Sequence, residues 1–136
     1  MNNLLKAYSE TTFHVFEPHI LIEIGHKNNA LEVLLLANNA SQWAYITPYN
    51  PYSKELSDTE NLMRFERLKG ELSEYSFFEG EGVGMDLTWA PERSLLILGI
   101  TKEKAIEIGN SYEQNAIFYG VIHQLPEFLV LRELES

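Results

Sequence analysis

Ile46-Thr47-Pro48-Tyr49-Asn50-Pro51-Tyr52-Ser53 decides how the rest of the chain is read. Its first residues close an apolar strand, Trp43 to Thr47. Its last residues lead to Ser57-Asp58-Thr59-Glu60, a serine and a glutamate spaced to satisfy backbone N–H groups reciprocally at a helix start. Acids in that first turn also suit the positive end of the helix dipole. Pro48 and Pro51 have a fixed φ and no N–H to give to a ladder or a helix. The unit is therefore strand, stiffened loop, helix.

Downstream, Leu62, Phe65, Leu68, Leu72 and Tyr75 recur at steps of three, three, four and three, which predicts a helix to about Tyr75. Gly70 weakens it by about 1 kcal/mol relative to alanine. Phe77-Phe78 reads as a short strand running into Gly80-Glu81-Gly82-Val83-Gly84. Ser94 to Ile100 is a buried strand, and Thr101 caps a helix with Ala105, Ile108 and Tyr112 on its apolar face. Asn115 to Ile122 is a further strand; His123-Gln124-Leu125-Pro126 turns the chain so that Phe128 to Leu131 pairs back. The acidic tail, Glu133 to Ser136, is expected to fray.

Upstream, Asn3 to Tyr8 reads as a short helix. Thr12 to Phe16 and Ile20 to Ile24 form a hairpin around Pro18, with Ile20, Ile22 and Ile24 on one face. Asn29-Ala30-Leu31-Glu32 opens a helix that Asn38-Asn39 ends. The order β-β-α-β-α-β-β-α-β-β predicts a single α+β domain over 1–136, a two-layer sandwich with a mixed β-sheet and about three helices mainly on one face. A three-layer arrangement is the alternative, because Ser94 to Ile100 is apolar on both faces.

Composition narrows function. With 45% hydrophobic and 22% charged residues, the chain can build a core and is neither disordered nor fibrous. Its longest apolar runs, such as Leu95-Leu96-Ile97-Leu98, are too short to span a bilayer. Met1-Asn2-Asn3-Leu4-Leu5-Lys6 lacks the pattern of a secretory signal, so a cytoplasmic location is expected. There is no cysteine, which excludes disulfides, thiol catalysis and cysteine-held metals. The formal charge is −10 and the basic residues are scattered, which argues against nucleic-acid or anionic-membrane partners.

Several stretches could carry chemistry. In the Ile46 to Ser53 loop, Thr47, Asn50, Ser53 and the Tyr49 hydroxyl offer directional hydrogen bonds beside a helix start, where backbone N–H groups favour an anion. Asn61 and Arg64 share one side of the following helix. Read structurally, the same residues stiffen a turn, and Arg64 pairs with Glu60 or Glu66 at the surface. The Gly80 to Gly84 run is not a phosphate cradle, since neither a helix nor a lysine follows; a flexible connection or bulge fits better. Glu92 sits at a strand entrance, as an acid, a base or a partner for Arg64, or as a surface residue beside Arg93. Gln114-Asn115 reads either as a helix end or as a pair of inward amides. His14, His19, His26 and His123 lack metal-ligand spacing, and no metal or other cofactor is expected. No G-x-S-x-G elbow is present.

These residues together, with Leu56, Gly80-Glu81-Gly82, Trp89, Glu92-Arg93-Ser94-Leu95-Leu96 and Gln114-Asn115-Ala116-Ile117, resemble a bacterial family of small proteins known as domain of unknown function 3293. The resemblance runs from about Tyr8 to Arg132. The Thr-x-x-Asn-Pro-x-Ser loop and the Gln-Asn-Ala-Ile segment carry it most strongly, with Tyr49 at a position where the family has Trp or another aromatic. It implies a stand-alone domain, and a single pattern made of the loop, Asn61, Arg64, Glu92 and Gln114-Asn115; it implies no reaction.

Three readings follow. In the first, Thr47, Tyr49, Asn50, Ser53, Asn61, Arg64, Gln114 and Asn115 bind a small molecule, an anion among the candidates, with Glu92 as the general base if catalysis occurs. In the second, the chain is a protein-interaction or regulatory module without catalysis, using a sheet edge such as Phe128 to Leu131 or an aromatic patch of Tyr49, Tyr52 and Trp89. In the third, the polar pattern is architectural.

Overall fold

The N-terminal hairpin forms as its alternation requires. In the computed structural model, β1 (Thr12–Val15) and β2 (Ile20–Ile22) pair antiparallel, with Ile20 and Ile22 buried and Leu21 outward. The structure describes residues 10–23, 25–84 and 89–132. The expected helix over Asn3 to Tyr8, the strand end at Ile24 and the tail from Glu133 lie outside the described residues. Helix α1 (Asn29–Ala37) is capped by Asn28 rather than Asn29: the Asn28 side chain accepts from the Leu31 N–H at 3.0 Å. Glu32 does not reach back to the cap but accepts from the His123 N–H at 2.8 Å.

Strand β3 (Gln42–Ile46) leads through the loop and a single 3₁₀ turn (Pro51–Ser53) to α2 (Asp58–Glu71). The capping box is present: Ser57 Oγ accepts from Glu60 N at 3.1 Å, and Glu60 Oε1 from Ser57 N at 3.2 Å. The helix stops at Glu71, before the expected Tyr75. Its buried stripe is Asn61, Phe65, Leu68 and Leu72, whereas Leu62 is 49% exposed. The helical period is as predicted, but the stripe begins on a polar residue, because the loop satisfies the buried Asn61 amide.

After α2 come β4 (Ser76–Val83), β5 (Glu92–Leu98), α3 (Lys102–Ser111, capped by Thr101), β6 (Ala116–Val121) and β7 (Glu127–Val130). The expected flexible connection at Gly80 to Gly84 is instead mostly strand, because β4 runs through Gly80 and Gly82 to Val83. A Cβ at Gly80 would stand 1.9 Å from the His14 carbonyl oxygen, so only glycine lets β1 approach this closely.

The seven strands form one curled sheet in the order β2-β1-β4-β5-β3-β6-β7. The mixed sheet is corrected: every pairing is antiparallel. The reason lies in the crossovers. β3 and β4, joined by α2, both run against β5, which hairpins back from β4 into the gap between them. In the same way β3 separates β5 from β6, the strands joined by α3.

Two apolar clusters form. Phe65, Leu68 and Leu72 from α2 and Ala105 and Ile108 from α3 pack on Ala44, Ile46, Leu95, Ile97, Ile117 and Tyr119. Leu31 and Leu35 of α1 join the other cluster, with Phe13, Val15, Trp43, Tyr45, Leu96, Leu98 and Phe118. Alternating residues of β3, β5 and β6 thus enter different clusters, as the apolar run from Ser94 suggests. The α+β class stands. A two-layer sandwich with helices mainly on one face is not confirmed, since α1 packs with the opposite set of strand residues.

Candidate functional site

The loop after β3 is held in a conformation most residues avoid. Asn50, Tyr52 and Ser53 have φ of 50°, 50° and 63°, and Glu113, across from them, has 58°. Non-glycine residues reach this region at a cost of about 1–2 kcal/mol, least for Asn. Surrounding bonds must therefore fix it.

Asn50 is the centre of those bonds. Its backbone N–H donates to Asn61 Oδ1 (2.9 Å), and its Nδ2 donates to Glu92 Oε2 (2.7 Å). Its Oδ1 accepts from Leu56 N (3.0 Å) and Asn61 Nδ2 (2.8 Å). Arg64 bridges two segments, donating from Nε to the Pro48 carbonyl and from Nη2 to the Tyr112 carbonyl, both at 2.6 Å. Its guanidinium also lies 5.5 Å from the Tyr112 ring centre. Gln114 Nε2 donates to the Tyr49 carbonyl (2.9 Å) and the Tyr112 carbonyl (3.1 Å), and Asn115 Nδ2 donates to Ser53 Oγ (3.0 Å). Thr47 Oγ1 donates to the Arg93 carbonyl (2.7 Å) and accepts from Tyr49 N (3.1 Å).

The structure thus gathers all the expected residues around one loop, with one exception in how they pair. Arg64 makes its ion pair with Glu113, at 3.8 Å, and not with Glu92, Glu60 or Glu66. Glu92 pairs instead with Asn50 and with Trp89, whose Nε1 donates to the same Oε2 at 3.0 Å. Burial raises the Glu92 carboxyl above its ordinary value, and the Asn50 and Trp89 donors oppose that rise.

Beside this network opens a cavity of about 410 Å³. Phe13, Tyr45, Trp89 and Phe118 are its aromatic walls, with Gly82, Gly84, Ala116 and Ile117 between them. Its polar lining is Glu10, Thr11, Thr47, Ser53, Glu92 and Ser94. Of the expected ligand-binding residues, Thr47 and Ser53 line it, as does Glu92. Tyr49, Asn50, Asn61, Arg64, Gln114 and Asn115 stand behind the lining and hold the loop.

Sequence reasoning missed most of the walls, which come from β1, β3, β4, β5 and β6. A signal was present in small residues at alternate positions. Gly82 pairs with Glu92 and Gly80 with Ser94, so β4 and β5 place little bulk next to one another there. His14 Nδ1 and His19 Nε2 lie 3.4 Å apart, but among the described residues no group of three or more His, Asp or Glu is placed to hold a metal. No helix among them is long and apolar enough to cross a membrane.

Among the described residues, a seven-stranded antiparallel sheet with three helices, and a cavity beside a polar-tied loop, defines the class: a small α+β domain. The chain belongs to the family described as Protein of unknown function (DUF3293), whose model matches residues 46–117, just over half of the chain. No curated protein and no solved structure matches it. The matched stretch contains the whole network from Asn50 to Asn115. Phe13, Tyr45 and Phe118 lie outside it.

Proposed function

We propose that the chain is a small-molecule binding domain whose site is the cavity between the aromatic walls and the Ile46 to Ser53 loop. The observation that carries this is the cavity itself: about 410 Å³, mostly apolar, with a few hydrogen-bonded polar groups in its lining. Pockets for small organic ligands have this size and composition. The loop network supports the reading indirectly, because it orders Thr47, Ser53 and Glu92 before any ligand arrives. Glu92 is the residue to which an acid–base step would be assigned, since its carboxyl is buried and already raised. Arg64 is assigned to the loop and not to an anion, because its Nε and Nη2 donors face backbone carbonyls.

A thermal-shift screen of small organic molecules tests this, since a ligand of the folded state raises the melting temperature. Hits should lose their effect in Gly82→Val. A Cβ there makes only ordinary contact with the Phe13 ring at 3.5 Å, and the added methyls occupy the cavity. Hits that are indifferent to this change, or no hits from a broad screen, would overturn the reading.

One observation favours the interaction module as a second reading. Val33 and Leu36 on α1 are 67% and 64% exposed, side by side on its outer face. Light scattering over a concentration series decides it: a strict monomer, unchanged by Leu36→Lys, removes self-association from consideration.

A further inference from the structure

Most of the hydrogen-bonding groups that line the cavity have their donors committed within the chain. Three of the five hydroxyls in its lining donate their protons to backbone carbonyls, Thr47 to Arg93 (2.7 Å), Ser94 to Glu92 (3.0 Å) and Tyr45 to His14 (2.7 Å), whereas Ser53 Oγ accepts from Asn115 Nδ2 (3.0 Å) and keeps its own proton for a guest. Burial pushes the Tyr45 phenol up, so it keeps the proton it donates. The Trp89 indole N–H is committed to Glu92 Oε2, as is Asn50 Nδ2. Apart from Ser53, what these groups leave toward a guest is lone pairs. Glu92 Oε1 in particular accepts no hydrogen bond from any described residue, although both donors converge on its twin oxygen. Glu10 adds a second carboxylate to the lining, to which no Lys or Arg among the described residues belongs.

A guest that brings an anion would meet two carboxylates in a partly desolvated space, with the neutral Ser53 hydroxyl as a donor against them, which is costly. A guest that brings donors on a positive centre would meet a carboxylate oxygen that has none. Aromatic faces around the cavity further favour a cation over an anion.

From this geometry we infer that the cavity selects organic cations: a protonated amine or amidinium on a flat apolar body, the charged donor on Glu92 Oε1 and the body among Phe13, Tyr45 and Phe118. This rests on the cavity being a ligand site, and it adds the sign of charge. Asn50 and Trp89 act as positioning residues, since each donates to Glu92 Oε2 and leaves Oε1 to the guest.

Three probes with one indole body and different tails test it by calorimetry on the intact chain: tryptamine (cationic), tryptophol (neutral) and indole-3-acetate (anionic). Tryptamine should bind at least about tenfold more tightly than tryptophol, the scale of a charge-assisted over a neutral hydrogen bond. Indole-3-acetate should bind most weakly. Glu92→Gln keeps an acceptor for Asn50 and Trp89, so the fold is retained; it should erase the preference for tryptamine and leave tryptophol binding within about twofold. If tryptophol or indole-3-acetate binds best, or if Glu92→Gln leaves the order unchanged, the charge assignment is wrong while the cavity remains a site. If none of the three binds the native chain or Glu92→Gln, the charge inference is overturned for this body, and the Gly82→Val comparison judges the cavity separately.

Discussion

Asn50→Ala is the perturbation that weighs the loop network most directly. The change deletes three side-chain hydrogen bonds: to Glu92, from Leu56 N and from Asn61 Nδ2. Two neutral bonds contribute about 1 kcal/mol each, and the bond to a charged partner about 1.5–3 kcal/mol. Alanine at φ 50° adds about 1 kcal/mol, since it lacks the tolerance of Asn for this region. The deleted atoms leave space that water can enter, which offsets part of the loss. The expected destabilisation is about 3–4 kcal/mol, large for one polar residue. Urea unfolding followed by tryptophan fluorescence measures it; with a slope of about 2 kcal/mol/M, the midpoint should fall by about 1.5–2 M. Asn50→Gly separates the parts: it frees the backbone and still removes the bonds, so it should recover only the backbone share, about 1 kcal/mol. The double mutant with Asn61→Ala should show a coupling of at least about 1 kcal/mol, because the two amides exchange bonds. A loss below about 1 kcal/mol for Asn50→Ala, or strict additivity with Asn61→Ala, would refute the claim that these residues hold the loop.

Arg64→Ala should cost about 2–3 kcal/mol in the same assay, with Arg64→Lys recovering less than half, because one ammonium cannot span the Pro48 and Tyr112 carbonyls as the planar fork does. Gly80→Ala should destabilise by more than about 2 kcal/mol, since a Cβ 1.9 Å from the His14 oxygen forces β1 away from β4; near-neutral behaviour would mean the two strands adjust freely. Glu92 carries a pH signature. Its folded-state carboxyl is raised, so the folded chain holds more protons than the unfolded one between about 4.3 and that raised value, and stability should fall as pH rises through this window. Glu92→Gln removes the falling component and should be at least as stable as the native chain at pH 7; a native stability profile that rises through the window would reverse the sign assigned here.

How much of this was legible in the sequence differs between loop and cavity. The strand, loop and helix units could be read because capping boxes and apolar periods are local: Ser57 with Glu60 and Thr101 with Lys104 act within one turn. The gathering of Asn50, Asn61, Glu92 and Gln114 around the loop could be read through a family resemblance and through the need of buried amides for partners. The outward turn of Leu62 could not, because the apolar period fits a stripe that begins on either Asn61 or Leu62, and only the loop amides decide between them. Sheet order was not legible either. Antiparallel pairing throughout depends on β5 and β3 each entering the gap left by a crossover, which no local signal states. The cavity follows from that order, being bounded by residues from five strands and by what is missing at Gly82.

The two levels of the site also explain each other. A loop with three non-glycine residues at positive φ carries strain that the surrounding bonds offset, and strain of this kind collects at functional sites. Asn50 links both sides: one face of its amide fixes Asn61 and Leu56, and the other fixes Glu92 at the cavity. On the proposed reading, the energy stored in the loop conformation and offset by Asn61, Arg64 and Gln114 holds a carboxylate in place before a ligand arrives. A ligand then loses less of its binding energy to ordering the site, which is how preorganisation raises affinity without adding contacts. The architectural and the binding readings of the polar residues are therefore not rivals. Asn61, Arg64 and Gln114 act on the loop, the loop acts on Glu92, and a variant such as Arg64→Lys should weaken tryptamine more than tryptophol, through a looser Glu92, even though Arg64 touches neither.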